Sequence, residues 1–340
     1  MRAATENWLL RHWYSRRQPP WYLRLIEPVY ALMFLFLQKR GASSQNRCRS
    51  KLPLVVVGNI TAGGSGKTPL VIRLCQLALE MNLKPGIAST GYGRNSKETL
   101  MVKPGSDAQV CGDEPVLLAE RTGVPVVVAN KRFDAIRKLN EMNLDLLISD
   151  DGLQTADLER DMEICVLDGA RGLGNGHLLP AGPLREPASR LRKVDFIISN
   201  GVWKEAPDDF VVYVMLLEAS KLVSLDGASE VSIEQFRQTF SGKPVHAIAG
   251  IGHPQRFFKT LEALGIEALT HSFPDHHRFK QNDFNSFEVG SSIIMTEKDA
   301  VKCRALGIEN AWYLPVETHL PADFETIIKD RFRTLIKEHK

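Results

Sequence analysis

Pro53–Thr68 reads P-L-V-V-V-G-N-I-T-A-G-G-S-G-K-T. The run Pro53–Gly58 is β-branched and ends in glycine, which predicts a buried parallel strand. Beyond the loop, Leu70, Val71, Leu74, Leu77, Ala78 and Met81 recur at helical spacing. Gly63, Gly64 and Gly66 let the backbone curl so that successive N–H groups point at phosphate oxygens, aided by the helix N-terminus. Lys67 would reach the β and γ phosphates, and the Thr68 hydroxyl would ligate Mg²⁺. Strand, glycine-rich loop, Lys-Thr and helix make a P-loop arrangement. Thr61, Ala62, Gly63, Gly64, Ser65, Gly66, Lys67 and Thr68 are therefore expected to cradle a nucleotide. One deviation stands out: the strict pattern asks for glycine where this chain has Thr61.

A phosphate loop also needs an acidic partner on a neighbouring strand. Leu146–Ser149 predicts a short buried strand, with Asp150 and Asp151 just past its C-terminal edge. In a parallel sheet that edge is where ligands sit. Asp145 stands at the strand's start and is set aside. Asp150 is the natural Mg²⁺ holder, and Asp151 a further ligand or a base.

More strands are expected at Val124–Ala129, Glu163–Leu167, Asp195–Ser199 and Val211–Leu217, with helices after Asp113 and Arg132. A second set follows: Val245–Ala249, a helix from Pro254, Ser292–Met295, a helix from Lys298, Trp312–Pro315 and an amphipathic tail, Phe324–Ile336. Gly250 and Gly252 lack the third glycine of a dinucleotide fingerprint and read as a turn. The expected fold is α/β: a P-loop NTPase-like parallel sheet flanked by helices, a smaller second α/β domain and an N-terminal membrane-associating helix. The boundaries are residues 1–50, 51–222 and 223–340.

At 340 residues, 44% hydrophobic and 24% charged, the chain is too ordinary for disorder, collagen-like repeats or a polytopic membrane protein. Its five cysteines are dispersed without a C-x-x-C pair, which argues for a reducing compartment and against a disulfide framework. The net charge of +3 conceals +8 over residues 1–51 and −5 over the rest. Arg11, Arg16, Arg17, Arg24, Lys39 and Arg40 accompany Trp8, Trp13, Trp21 and the uncharged run Val29–Leu37. Aromatics and cations around a short apolar run suit a helix lying in an anionic lipid interface, not a span, which needs about 20 apolar residues. A helix packed on the protein's own core is the plainer alternative. No nucleic acid and no obligate protein partner is implied.

Asn130-Lys131-Arg132-Phe133 lacks the aspartate of a guanine-reading motif, so ATP is favoured. Several motifs then occur in one order: G-N-I-T-A-G-G-S-G-K-T-P (Gly58–Pro69), G-Y-G (Gly91–Gly93), G-D-E-P (Gly112–Pro115), D-D-G-L-Q (Asp150–Gln154), L-P-A-G-P-L-R-E-P (Leu179–Pro187) and D-H-H (Asp275–His277). As a set they resemble the tetraacyldisaccharide 4′-kinases, the lipid A 4′-kinases of Gram-negative bacteria, in which Thr61 is expected. The resemblance implies ATP-dependent phosphorylation of the 4′-hydroxyl of an acylated glucosamine disaccharide 1-phosphate at the cytoplasmic face of the inner membrane. By the same likeness Asp113 takes the hydroxyl proton and His276 tunes it, Arg132 and Arg185 lie near phosphates, Glu186 orients Arg185, and Tyr92 lines the acceptor site. On the residues alone, His276 and His277 read as a solvated turn or half a metal site with His271, and the arginines as structural ion pairs. Thr90 before Gly-Tyr-Gly and Thr155 after D-D-G-L-Q depart from the family pattern, where Arg and His are common. Two other classes stay in view: a membrane-recruited ATPase acting as a switch or chaperone, and a non-catalytic nucleotide-binding scaffold.

Overall fold

A computed structural model describes residues 2–15, 18–42, 49–240, 242–288 and 290–339, without the side chains of 2–7 and 41–42. Arg16, Arg17, Arg47 and Cys48 lie outside the described residues. The strands of the first unit, in chain order, are β1 (Leu54–Gly58), β2 (Pro85–Ser89), β3 (Leu100–Val102), β4 (Val126–Val128), β5 (Leu146–Asp150), β6 (Met162–Asp168), β7 (Phe196–Asn200) and β8 (Val212–Glu218). The second unit holds β9 (Lys221–Ser224), β10 (Glu230–Ser232), β11 (Val245–Ala249), β12 (Leu269–Ser272), β13 (Ser292–Thr296) and β14 (Ala311–Leu314). A last strand, β15 (Glu317–His319), returns to the first sheet.

The first sheet runs β15-β8-β7-β6-β1-β5-β2-β4-β3. Only its edge strands β3 and β15 pair antiparallel. β1 lies between β5 and β6, with Val57 opposite Asp150 and Gly58 opposite Cys165. Its apolar residues are buried because helices cover both faces. Leu70, Leu74, Leu77 and Ala78 of the helix Lys67–Glu80 pack on one face; Ala135, Ile136 and Leu139 of the helix Arg132–Leu139 cover the other. The second sheet, β10-β9-β14-β13-β11-β12, is smaller and mixed. The four described cysteines are free and buried.

The tail departs from the expected boundaries. Expected within the second domain, β15 and the helix Ala322–Glu338 return to the first unit, where Phe324, Ile328, Phe332 and Leu335 join the core around the helix Lys67–Glu80. Their i, i+4, i+8 spacing makes an apolar stripe, and the stripe fits the exposed flank of the first sheet. Arg73 fixes the docking by donating to both Glu325 carboxylate oxygens at 2.8 Å.

The N-terminal segment is two helices instead of one, Arg2–Trp13 and Trp21–Ala42. It belongs in part to the core. Trp13, expected at a lipid interface, is 8% exposed, and its indole N–H donates to the Pro180 carbonyl at 2.9 Å. The Glu27 carboxylate accepts from the Leu178 N–H at 2.7 Å, and Tyr30 Oη donates to the Arg185 carbonyl at 3.1 Å. The opposite face of the second helix exposes Trp21, Leu25, Val29, Leu32 and Phe36. Among the described residues, no helix is long and apolar enough to cross a membrane.

Phe332 is wholly buried in the first unit's core. Phe332→Ala should cost about 3–5 kcal/mol of stability, read as a lower urea midpoint for the transition that also abolishes nucleotide binding. An unchanged midpoint would place the tail elsewhere.

Candidate active site

The C-terminal edges of β1, β5, β6 and β7 converge on one crevice. Asp150, Asp168 and Asn200 are the last residues of their strands. The chain leaves β1 through Asn59, whose amide Nδ2 donates to the Gly63 carbonyl at 3.2 Å, while Asn200 Nδ2 donates to the Ser65 carbonyl at 3.3 Å. Gly66 has φ +94°, and a Cβ there would collide with the Asn200 amide. Only glycine fits.

The Leu179–Pro187 stretch flanks this loop on its other side. The Ala62 N–H donates to the Pro183 carbonyl and the Arg185 N–H to the Ile60 carbonyl, both at 2.7 Å. Gly63 through Thr68 line a cavity of about 1030 Å³, together with Tyr92, Asp151, Arg185 and His276. Thr61 and Ala62 stand behind the cavity wall, tied to this flanking stretch.

Asp150 ends β5, one residue later than the sequence suggested, and Asp151 follows with φ +54°. A non-glycine residue in the left-handed region costs on the order of 1 kcal/mol and needs a brace. Arg132 supplies it. Its Nη2 donates to the carbonyls of Asp150 and Asp151, each at 2.8 Å, and its Nη1 to the Thr155 hydroxyl at 2.7 Å. Expected near a phosphate, Arg132 is buried behind the acidic turn, with Nη2 on the turn's carbonyls and Nη1 on the Thr155 hydroxyl, while its Nε has no hydrogen-bond partner.

Asp151 does face the loop. Its carboxylate lies 3.4 Å from Lys67 Nζ and 3.4 Å from Arg185 Nη1. Burial opposes its charge, but Lys67 and Arg185 hold its carboxyl below the usual range. Burial and then the Glu114 charge push Asp150 up to about 7. Asp150 Oδ1 and Ser65 Oγ are buried without a hydrogen-bond partner. A cation at Asp150 and phosphate oxygens at the loop would satisfy both atoms, so the donor set fits a magnesium nucleotide. Glu186 does not orient Arg185: it is buried facing the other way, accepting from Gln154 Nε2 at 2.5 Å and pairing with Arg190 Nε at 3.2 Å.

Asp113 opens the helix Asp113–Thr122, whose N-terminus favours an anion. From the second unit, His276 Nδ1 reaches both of its oxygens, at 3.2 and 3.1 Å. This contact joins the second unit to the first. His276 is another strained residue, at φ +57°, and its N–H donates to Asp275 Oδ1 at 3.0 Å. Burial disfavours the Asp113 charge, yet Lys298 and His276 hold its carboxyl well below the usual carboxylate range. Tyr92 caps the pair, its ring centroid 5.0 Å from that of His276. His277 turns aside to Asp283 at 3.0 Å, and His271 pairs with His246 at 3.0 Å, so no half-built metal site exists among them. Among the described residues, no group of three metal-ligating side chains forms a site.

Several residues escaped the sequence reading. Asp168 accepts from His253 Nδ1 at 3.1 Å, and Arg256 donates to Asn200 Oδ1, anchoring the second unit against the loop. Asp168 and Asn200 each stand one residue past the expected strand ends, at the very edge the parallel-sheet rule singles out. Gly252 comes so close that a Cβ there would lie 2.9 Å from the Gly64 nitrogen.

If Arg132 braces the turn through its fork, Arg132→Lys keeps the charge and loses the geometry. Nucleotide affinity should fall at least about tenfold, near 1.4 kcal/mol, by calorimetric titration. Wild-type affinity in that variant would return Arg132 to an electrostatic role.

The family model described as Tetraacyldisaccharide-1-P 4′-kinase matches residues 20–333. A tetraacyldisaccharide 4′-kinase of Hahella chejuensis is 41% identical over 98% of both chains. One from Methylobacillus flagellatus is 42% identical over 99% of both chains. A crystal structure of LpxK from Aquifex aeolicus in complex with ATP aligns with TM-score 0.74 at 30% identity, over 92% of this chain and 97% of that one. With the phosphate loop, the acidic turn and the Asp113–His276 pair already meeting in one cavity, these matches establish that the chain belongs to the tetraacyldisaccharide 4′-kinase family of lipid A biosynthesis, phosphotransferases acting on a hydroxyl group.

Proposed function

We propose that this chain transfers the γ-phosphoryl group of ATP to the 4′-hydroxyl of a tetraacylated glucosamine disaccharide 1-phosphate, working at the cytoplasmic face of the inner membrane. The observation that carries the reading is a buried carboxylate–imidazole pair, Asp113 and His276, on the wall of the cavity that the phosphate loop opens into.

The loop N–H groups and Lys67 bind the β and γ phosphates. A magnesium ion, held by Thr68 and Asp150, supplies charge neutralisation when bound. Arg185, which pairs with Asp151 on the cavity wall, can stabilise charge on the oxygens of the transferring group. The 4′-hydroxyl gives its proton to Asp113 as its oxygen bonds to phosphorus, and the bond between phosphorus and the bridging oxygen breaks to release ADP. His276 donates to the Asp113 carboxylate and aims it. The exposed Tyr92 is placed to pack against a sugar. An ATPase switch has less in its favour, since hydrolysis without an acceptor has no need of this pair.

The membrane contribution rests on the second N-terminal helix. Its free face presents Trp21, Leu25, Val29, Leu32 and Phe36, flanked by exposed Arg24, Lys39 and Arg40. A face of apolar side chains rimmed by cations suits an anionic leaflet. The docked face reaches Arg185 through Tyr30 and Gln154 through Gln38. A lipid bound there would arrive beside the cavity.

Asp113→Ala should leave ATP affinity within about threefold while kcat drops by at least about 10³, measured by label transfer to the lipid acceptor. His276→Ala should be milder, and the double variant little worse than Asp113→Ala; additive losses would argue against a coupled pair. A Leu25→Glu, Leu32→Glu, Phe36→Glu variant touches only exposed positions and should fold normally. Its activity should fall on vesicle-borne acceptor far more than on detergent-dispersed acceptor. Equal losses on both would refute the interfacial role.

A further inference from the structure

Around Asp113 stands a cation to which the sequence reading gave no role. β13 ends at Thr296, whose hydroxyl accepts from the Asp299 N–H at 3.1 Å and so caps the helix Glu297–Cys303. The next residues reach different elements. Glu297 pairs with Arg121 of the first unit at 2.9 Å, while Asp299, wholly buried, accepts from the Gly250 N–H at 2.9 Å. Between them Lys298 projects across the junction, its side chain 17% exposed. Its Nζ lies 2.8 Å from Glu114, 3.7 Å from Asp275 and 3.8 Å from Asp113.

One ammonium thus serves three carboxylates. Glu114 anchors it by a hydrogen bond, and it acts on Asp113 and Asp275 through charge. Asp113 and Glu114 are neighbours on one helical turn, and Asp275 adjoins His276. Without a cation among them, like charges in a desolvated space would drive the three apart. His276 and, farther off, Lys302 also act on Asp113 from the second unit, while Lys67 of the phosphate loop acts on Glu114 from the first.

We propose that Lys298 is a positioning residue for phosphoryl transfer, gathering Asp113, Glu114 and Asp275 into one cluster so that Asp113 stays ionised and aligned with His276. The inference rests on the reading of Asp113 as proton acceptor. It makes Asp113 competent only while the second unit is docked, because both the aligning imidazole and the clamping ammonium arrive with that unit. Its Nζ is engaged by carboxylates, and it acts on the reaction through Asp113.

The test uses full-length protein with ¹³C-labelled aspartate carboxyls, the Asp113 resonance being assigned through Asp113→Asn. In Lys298→Met the Asp113 titration midpoint should rise by at least about one pH unit, while Lys298→Arg should keep it low. In turnover assays Lys298→Met should lose about 10–100-fold in kcat, with the KM for ATP within about twofold and the acid limb of the pH profile moved upward. Lys298→Arg should recover most of the rate. An unmoved Asp113 midpoint, or kcat and KM failing together with an unchanged pH profile, would overturn the proposal. Should Lys298→Met not fold, the Lys298→Met/Glu114→Gln double variant removes one charge of each sign, and the same titration in it decides. The titration needs no turnover. A wild-type protein that labels no lipid acceptor would sink the functional reading and leave the clamp judged on its own.

Discussion

A carboxylate that is 5% exposed cannot keep its charge unaided, and Asp113 is such a group. The first unit offers it a helix N-terminus, together with an acidic neighbour in Glu114. Compensation comes from the other side of the crevice, through His276 and Lys298. The junction between the two units is therefore electrostatic at its centre. Around that centre Arg121 meets Glu297, Arg304 meets Glu120, and Arg256 meets Asp168. Ion pairs of this kind, partly open to water, hold a defined geometry yet separate at modest cost, which suits a crevice that must admit and release a nucleotide.

Strain is placed at the same point. Asp151 and His276 both occupy the left-handed region without being glycine, one on each unit, and each faces the cavity. Arg132 holds the first through backbone carbonyls, and the turn Asp275–His277 holds the second. Such conformations persist where the surroundings over-determine them. Here they aim a carboxylate at Lys67 and an imidazole at Asp113.

The second N-terminal helix carries an exposed apolar face and a core-packed face on opposite sides of one element. Leu23, Glu27 and Tyr30 turn inward, with Trp13 and Tyr14 of the preceding segment beside the phosphate loop. Leu25, Leu32 and Phe36 turn outward. Periodicity alone could not separate them, since apolar residues occupy both faces and the helix lacks a polar side wide enough to mark one as wet.

The sequence by itself determined the local grammar. Glycines in Asn59–Thr68, the β-branched run before them and the helical spacing after them leave little freedom, because strand, loop and helix are each set by near neighbours. Asp150 and Asp151 were legible for the same reason, as the edge of a short apolar strand. Tertiary structure decided what depends on residues far apart in the chain. Arg132 braces the acidic turn because the Thr155 hydroxyl and the Asp150 and Asp151 carbonyls lie within hydrogen-bond reach of its guanidinium. Glu186 turned to Gln154 and Arg190. The tail stripe Phe324, Ile328, Phe332 was read as amphipathic, but only the docked fold shows which sheet it covers. Lys298 lies 185 residues from Asp113 in the chain, and no pattern of near neighbours relates them. Their meeting is fixed by the approach of two sheets, through the burial that makes an unpaired charge intolerable.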